Sequence, residues 1–107
     1  STRTYILNQL NKSDPFQEVH SFINAANTRN VEINVWNGSL LATAIYANNS
    51  DNVVFNCLGT QNGYCLATHL YAQNAGNVSV SMYPRYAYIY AQNATSLNLT
   101  LEADAGG

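Results

Sequence analysis

The sequence predicts a mainly β domain: an antiparallel β-sandwich of six to seven strands, Ig-like or jelly-roll-like, with a short N-terminal helix and an extended N-terminal arm. Three observations predict it. From residue 31 onward apolar and polar residues alternate, as in Val31, Ile33, Val35 and again in Leu97, Leu99, Leu101. A period of two puts one set of side chains on each face of a strand. Turn signals rich in Asn and Gly recur between these runs, at the spacing of roughly 8–12 residues that marks sandwiches and barrels. Charge is scarce, with four Lys or Arg and six Asp or Glu in 107 residues. Sixteen Asn, eight Ser, eight Thr and eight Tyr supply the polar surface instead.

Residues 1–12 form the arm, with Tyr5, Ile6, Leu7 and Leu10 as its apolar groups. A helix is expected over 14–26. Asp14 suits its N-cap, Pro15 its first position and Gln17 the reciprocal capping partner, while Phe16, Val19, Phe22, Ile23 and Ala26 recur at helical spacing. The sandwich then occupies 31–103. Asn37-Gly38 and Asn62-Gly63 read as tight hairpin turns. Asn48 to Asn52 and Asn74 to Asn77 read as loops, and Pro84 as an edge or a bend. No linker or internal repeat divides the chain, and 1–107 reads as a single domain.

Cys57 and Cys65 flank Asn62-Gly63 and face each other across the expected hairpin. A disulfide there implies an oxidising compartment; two buried free thiols are the plainer alternative. A metal site would need two more ligands, and neither histidine has the spacing to supply them. The basic residues Arg3, Lys12, Arg29 and Arg85 are scattered and outnumbered, which argues against nucleic acid. No apolar run reaches the ~20 residues of a membrane span. Nothing resembling a signal peptide precedes Ser1, so a secreted protein would be present here in processed form. No cofactor motif is present, and none is expected.

Three groups of residues are candidates for function. Six N-x-S/T sequons occur, at Asn11, Asn37, Asn48, Asn77, Asn93 and Asn98, all in expected turns or on an outer strand face, where glycan acceptors must be. Tyr86, Tyr88 and Tyr90 share one face of a strand, and Trp36 shares a face with Glu32 and Asn34. Aromatic rings beside amides and a carboxylate suit a sugar or a protein partner, and core packing is the plainer reading. For acid–base chemistry the candidates are His20, His69, Glu32, Glu102 and Arg85. A small secreted ribonuclease would need such groups to converge on one phosphate, and no local motif brings them together.

In its composition of few charges and many Asn, Thr and Tyr, the chain is similar to glycosylated surface-layer, pilus and adhesin proteins. That resemblance implies a non-enzymatic, extracellular or cell-surface structural or adhesive subunit. Self-association into an oligomer or filament is expected, with Tyr5, Ile6, Leu7 and Leu10 of the arm docking on a neighbour. A secreted lectin, binding glycans at Trp36, is the alternative; a ribonuclease-like enzyme ranks below both.

Overall fold

The computed structural model describes residues 4–9, 22–36, 38–83 and 85–102. One sheet carries, side by side, β1 (Thr4–Gln9), β3 (Asn30–Val35), β6 (Asn52–Cys57), β9 (Asn77–Met82) and β11 (Ser96–Leu101). A second carries β10 (Tyr88–Tyr90), β8 (His69–Tyr71), β5 (Ala44–Tyr46) and β2 (Phe22–Asn24), and a third pairs β4 (Gly38–Leu41) with β7 (Gly63–Leu66). Every strand pairing among the described residues is parallel. The chain is therefore a β-solenoid, and the expected antiparallel sandwich is overturned.

The register shows how the chain climbs. Asn30, Asn52, Asn77 and Ser96 are successive partners in the first sheet, so the coils are 22, 25 and 19 residues long. The 19-residue coil passes from β9 to β10 with no strand in the third sheet among its described residues. The same register reveals the repeat that the sequence reading denied. With 38–53 set on 63–78, nine of sixteen positions are identical, including Leu41-Ala42-Thr43 on Leu66-Ala67-Thr68 and Tyr46-Ala47 on Tyr71-Ala72.

The corners explain why the coils do not fold back as hairpins. A two-residue type I′ hairpin needs two consecutive residues with positive φ. Here Asn27, Asn49, Asn74 and Asn93 each adopt a left-handed conformation singly (φ 57–62°), once per coil at the same corner. Asn tolerates that region better than other side chains bearing a Cβ. Asn62 is left-handed at φ 58°, yet no described glycine has positive φ, so Asn62-Gly63 bends the chain onto the next face. Gly63 is needed for space: a Cβ there would run into the Val35 carbonyl.

Inward side chains form rows that run from coil to coil. Val31, Val53 and Val78 make one row, Ile33, Phe55 and Val80 the next, and Val35, Cys57 and Met82 a third. Ile23, Ile45 and Leu70 face them from the second sheet, and all are buried. Outside, amides form ladders: Asn52 Nδ2 donates to Asn30 Oδ1 (3.0 Å), Asn77 Nδ2 to Asn52 Oδ1 (3.1 Å) and Ser96 Oγ to Asn77 Oδ1 (2.8 Å). Such ladders are a means of stacking in-register parallel strands.

Three local expectations are corrected with the fold. Phe22–Asn24, in the expected 14–26 helix, is strand β2; 14–21 lie outside the described residues. Residues 4–9 are not a free arm but an edge strand pairing with β3 of their own sheet, while Leu10 lies outside the described residues. Cys57 and Cys65 are disulfide-bonded, but between β6 and β7, two faces of one coil, and not across a hairpin.

Candidate functional site

The second sheet is short, only three residues per strand, and its outer face is aromatic. In β5, β8 and β10 the central residue points inward, so the residues flanking it point out. Register sets these outward residues in two columns: Phe22, Ala44, His69 and Tyr88 in one, Asn24, Tyr46, Tyr71 and Tyr90 in the other. The Tyr71 and Tyr90 rings are parallel within 6° at 4.8 Å between centroids, and Tyr46 and Tyr71 within 10° at 5.1 Å. His69 stacks on Tyr88 at 4.5 Å. Phe22 meets Tyr46 edge-on at 6.2 Å.

Rings this far apart cannot be eclipsed at a contact distance of about 3.5–4 Å. They overlap like tiles, the offset arrangement that aromatic pairs prefer, each pair adding about 0.5–1.5 kcal/mol beyond burial. The outer part of each tile stays in water: Phe22, Tyr46 and Tyr88 are 59%, 38% and 46% exposed. Amides border the patch at the next corner, where Asn93 Nδ2 donates to Asn74 Oδ1 (3.2 Å) and Gln73 N–H to Asn48 Oδ1 (2.9 Å).

Of the expected aromatic stripe, Tyr88 and Tyr90 belong to this face. Tyr86 is a left-handed corner residue (φ 54°), 77% exposed. The Trp36 patch does not form as expected. Asn34 is buried at 6% exposure, donating to Glu32 Oε2 (3.1 Å) and accepting from Asn56 Nδ2 (2.9 Å). It is a rung of an amide ladder. Trp36 is half-buried beyond the end of β3, and Glu32 is exposed. Sequence reading missed Phe22, Tyr46, His69 and Tyr71 as one surface; the repeat that sets Tyr46 on Tyr71 was the signal for it.

The described acid–base candidates come from different elements. Glu32 is on the first sheet, His69 on the second, and Arg85 at the corner between β9 and β10. Glu102 follows β11 and accepts from the N–H groups of Gly59 (2.6 Å) and Thr60 (3.5 Å). His20 lies outside the described residues. Among the sequons, Asn77, Asn93 and Asn98 are exposed and Asn48 half-buried; Asn11 and Asn37 lie outside the described residues. No described group of three or more His, Cys, Asp or Glu could hold a metal ion. No described helix is long and apolar enough to cross a membrane.

The last strand forms a second unusual surface. Leu97, Leu99 and Leu101 continue the buried rows of β3, β6 and β9, yet they are 50%, 45% and 51% exposed. Compared with protein-family models, with curated proteins and with solved structures, the chain gives no match.

Proposed function

We propose that the chain is a non-enzymatic structural subunit of an extracellular assembly, stacking end to end with further copies through its first sheet. The observation that carries this reading is the open rung β11, with three leucines in line with the core and half in water. Parallel pairing gives each rung the same direction, so a neighbour's β1 set against β11 extends the sheet without reversal. Thr4 would stand beside Ser96, Tyr5 beside Leu97 and Leu7 beside Leu99. Neither β1 nor β11 contains a charged residue or a proline, although exposed sheet edges are usually blunted by one or the other. The contact is head-to-tail and generates a filament when the rotation does not close. The N-terminal segment takes part as the edge of its own sheet. The disulfide and the exposed sequons Asn77, Asn93 and Asn98 fit an oxidising, glycosylating compartment.

Sedimentation and negative-stain electron microscopy across a concentration series test this. Association that rises with concentration and disappears in a folded Leu97→Lys/Leu99→Lys variant is the expected result. A wild-type chain that stays monomeric at high concentration overturns it.

The aromatic columns favour a second reading, a carbohydrate-binding protein. Rings with exposed edges beside a row of amides offer stacking and hydrogen bonds to a sugar. Specific glycan binding that Tyr71→Ala and Tyr88→Ala abolish, with the fold intact, would establish it; binding unaffected by both would remove it.

A further inference from the structure

The second column of outward residues holds three phenol rings in consecutive coils, Tyr46, Tyr71 and Tyr90, each beside the next in register. Tyr71 is the middle one. Its ring centroid lies 4.8 Å from that of Tyr90 and 5.1 Å from that of Tyr46, with the planes within 6° and 10° of parallel. All three can be reached from water, Tyr46 being exposed and Tyr71 and Tyr90 half-buried. Neither column of this face contains an Asp, Glu, Lys or Arg. The other described tyrosines are placed differently. The Arg85 guanidinium lies over Tyr64 and Tyr83, Tyr88 stacks on His69, and Tyr86 stands at an exposed corner.

We infer that this column is a site of oxidative cross-linking, where a one-electron oxidant of the haem-peroxidase class, fed by hydrogen peroxide, joins Tyr71 to Tyr90 as dityrosine. The chemistry balances on the phenols and the peroxide. Each phenol gives up one electron and its hydroxyl proton and becomes a neutral phenoxyl radical, whose unpaired electron is shared with the two ring carbons ortho to oxygen. The two radicals pair to form one carbon–carbon bond between ortho carbons. Each of those carbons then releases its hydrogen as a proton while a proton returns to its oxygen, which restores two phenols, now linked. Two electrons and two protons have left in all, and they reduce one hydrogen peroxide to two waters.

Geometry selects the pair. Partners already held together react in an effectively unimolecular step. Stacked, nearly parallel rings present their carbons to one another at contact distance, and parallel strands in register hold them there. A cation over a ring face opposes removal of an electron from that ring, which protects Tyr64 and Tyr83, while His69 offers Tyr88 no phenol to couple with. Tyr90 is preferred to Tyr46 as the partner of Tyr71 because its ring is nearer and more nearly parallel. The link ties two successive coils and removes freedom from the unfolded chain, as other cross-links do. The inference is independent of end-to-end stacking, since both phenols belong to one chain, and it uses ring faces that are already in contact with each other.

The test treats the full chain, dilute enough to be monomeric, with a haem peroxidase and limiting hydrogen peroxide, and reads dityrosine fluorescence, intact mass and the linked peptides. A chain-sized product lighter by two hydrogens, with Tyr71 bonded to Tyr90, is expected as the main product, and a Tyr46–Tyr71 link as the lesser one. Tyr71→Phe keeps the ring and removes the hydroxyl, and it should lower intrachain dityrosine about tenfold. Tyr90→Phe should shift the link to Tyr46 and Tyr71, and Tyr86→Phe should leave the yield unchanged. Denaturing the chain before oxidation should erase the preference for Tyr71. A main link at any pair without Tyr71 overturns the inference, as does intrachain dityrosine retained in folded Tyr71→Phe. Links formed only between chains, or no dityrosine at all, overturn it too. If Tyr71→Phe does not fold, the wild-type link map decides on the same terms.

Discussion

Strands β9 and β11 lie side by side in one sheet and share one pattern, apolar at every second residue. Their fates differ. Val78, Val80 and Met82 are at most 1% exposed, while Leu97, Leu99 and Leu101 are 45–51% exposed. The inner strand has a rung on each side, and the outer one has a single neighbour. Burial in a solenoid is thus a property of stacking, and alternation in a strand is only its precondition. Stability in such a molecule is approximately a sum of coil terms and nearest-neighbour terms, so a substitution should cost according to how many rungs it touches.

The largest effect should come from a middle rung. Phe55 stands between Ile33 and Val80, and Phe55→Ala is expected to cost about 3–5 kcal/mol in denaturant unfolding. A loss below 1 kcal/mol would contradict the stacked core. Next comes the disulfide. Cys57 and Cys65 are eight residues apart, and in the chain-entropy description a loop of that length contributes about 2.5 kcal/mol. Replacing both by Ser should lower the denaturant midpoint accordingly, and alkylation of the unreduced, folded chain should label neither thiol.

The corners come third. Asn74 and Ala67 are both left-handed, at φ 60° and 53°. Asn74→Ala should cost about 1 kcal/mol and Asn74→Gly less, whereas Ala67→Gly should be neutral or stabilising, because a left-handed Cβ costs about 1–2 kcal/mol. An Asn74→Gly variant that loses as much stability as Asn74→Ala would mean that the side-chain amide, which both lack, and not the backbone, holds that corner. Smallest is the open rung. Leu99→Ala should change the stability of the isolated chain by under about 1 kcal/mol, since a half-exposed side chain has little burial to lose. If its cost matches that of Phe55→Ala, something covers β11, and the contrast between the two strands dissolves.

Much of the fold was legible strand by strand. The alternation identified β3 and β11 as strands and set Val31, Ile33 and Val35 on one face. Cys57 and Cys65 were recognised as partners, and Tyr88 and Tyr90 as sharing a face, together with Tyr86, which the structure sets at a corner instead. The expected 14–26 helix was misread, because Phe22, Ile23 and Ala26 satisfy a helical spacing and Phe22–Asn24 is nonetheless a strand. Asn34 was misread because an amide on an outer strand face is ordinarily exposed, whereas here the neighbouring Asn56 amide donates to it and makes it a rung of a ladder. The aromatic surface was visible only in fragments, since its columns are assembled from residues 19 to 25 positions apart.

What the sequence determined alone is that the alternating runs from residue 31 onward are extended and which of their side chains share a face, because both follow from the two-residue period of a strand. It also held a repeat and one Asn per coil suited to a left-handed corner. What only the tertiary structure decided is the direction in which strands meet. Alternation is identical for parallel and antiparallel neighbours, and parallel sheets are usually covered on both faces and read as continuous apolar runs. A solenoid leaves the outer face of a parallel sheet in water, so its strands alternate as antiparallel ones do. A single left-handed residue at each corner turns the chain onto the next face, and stacking against the coil before it then sets the partners of every strand.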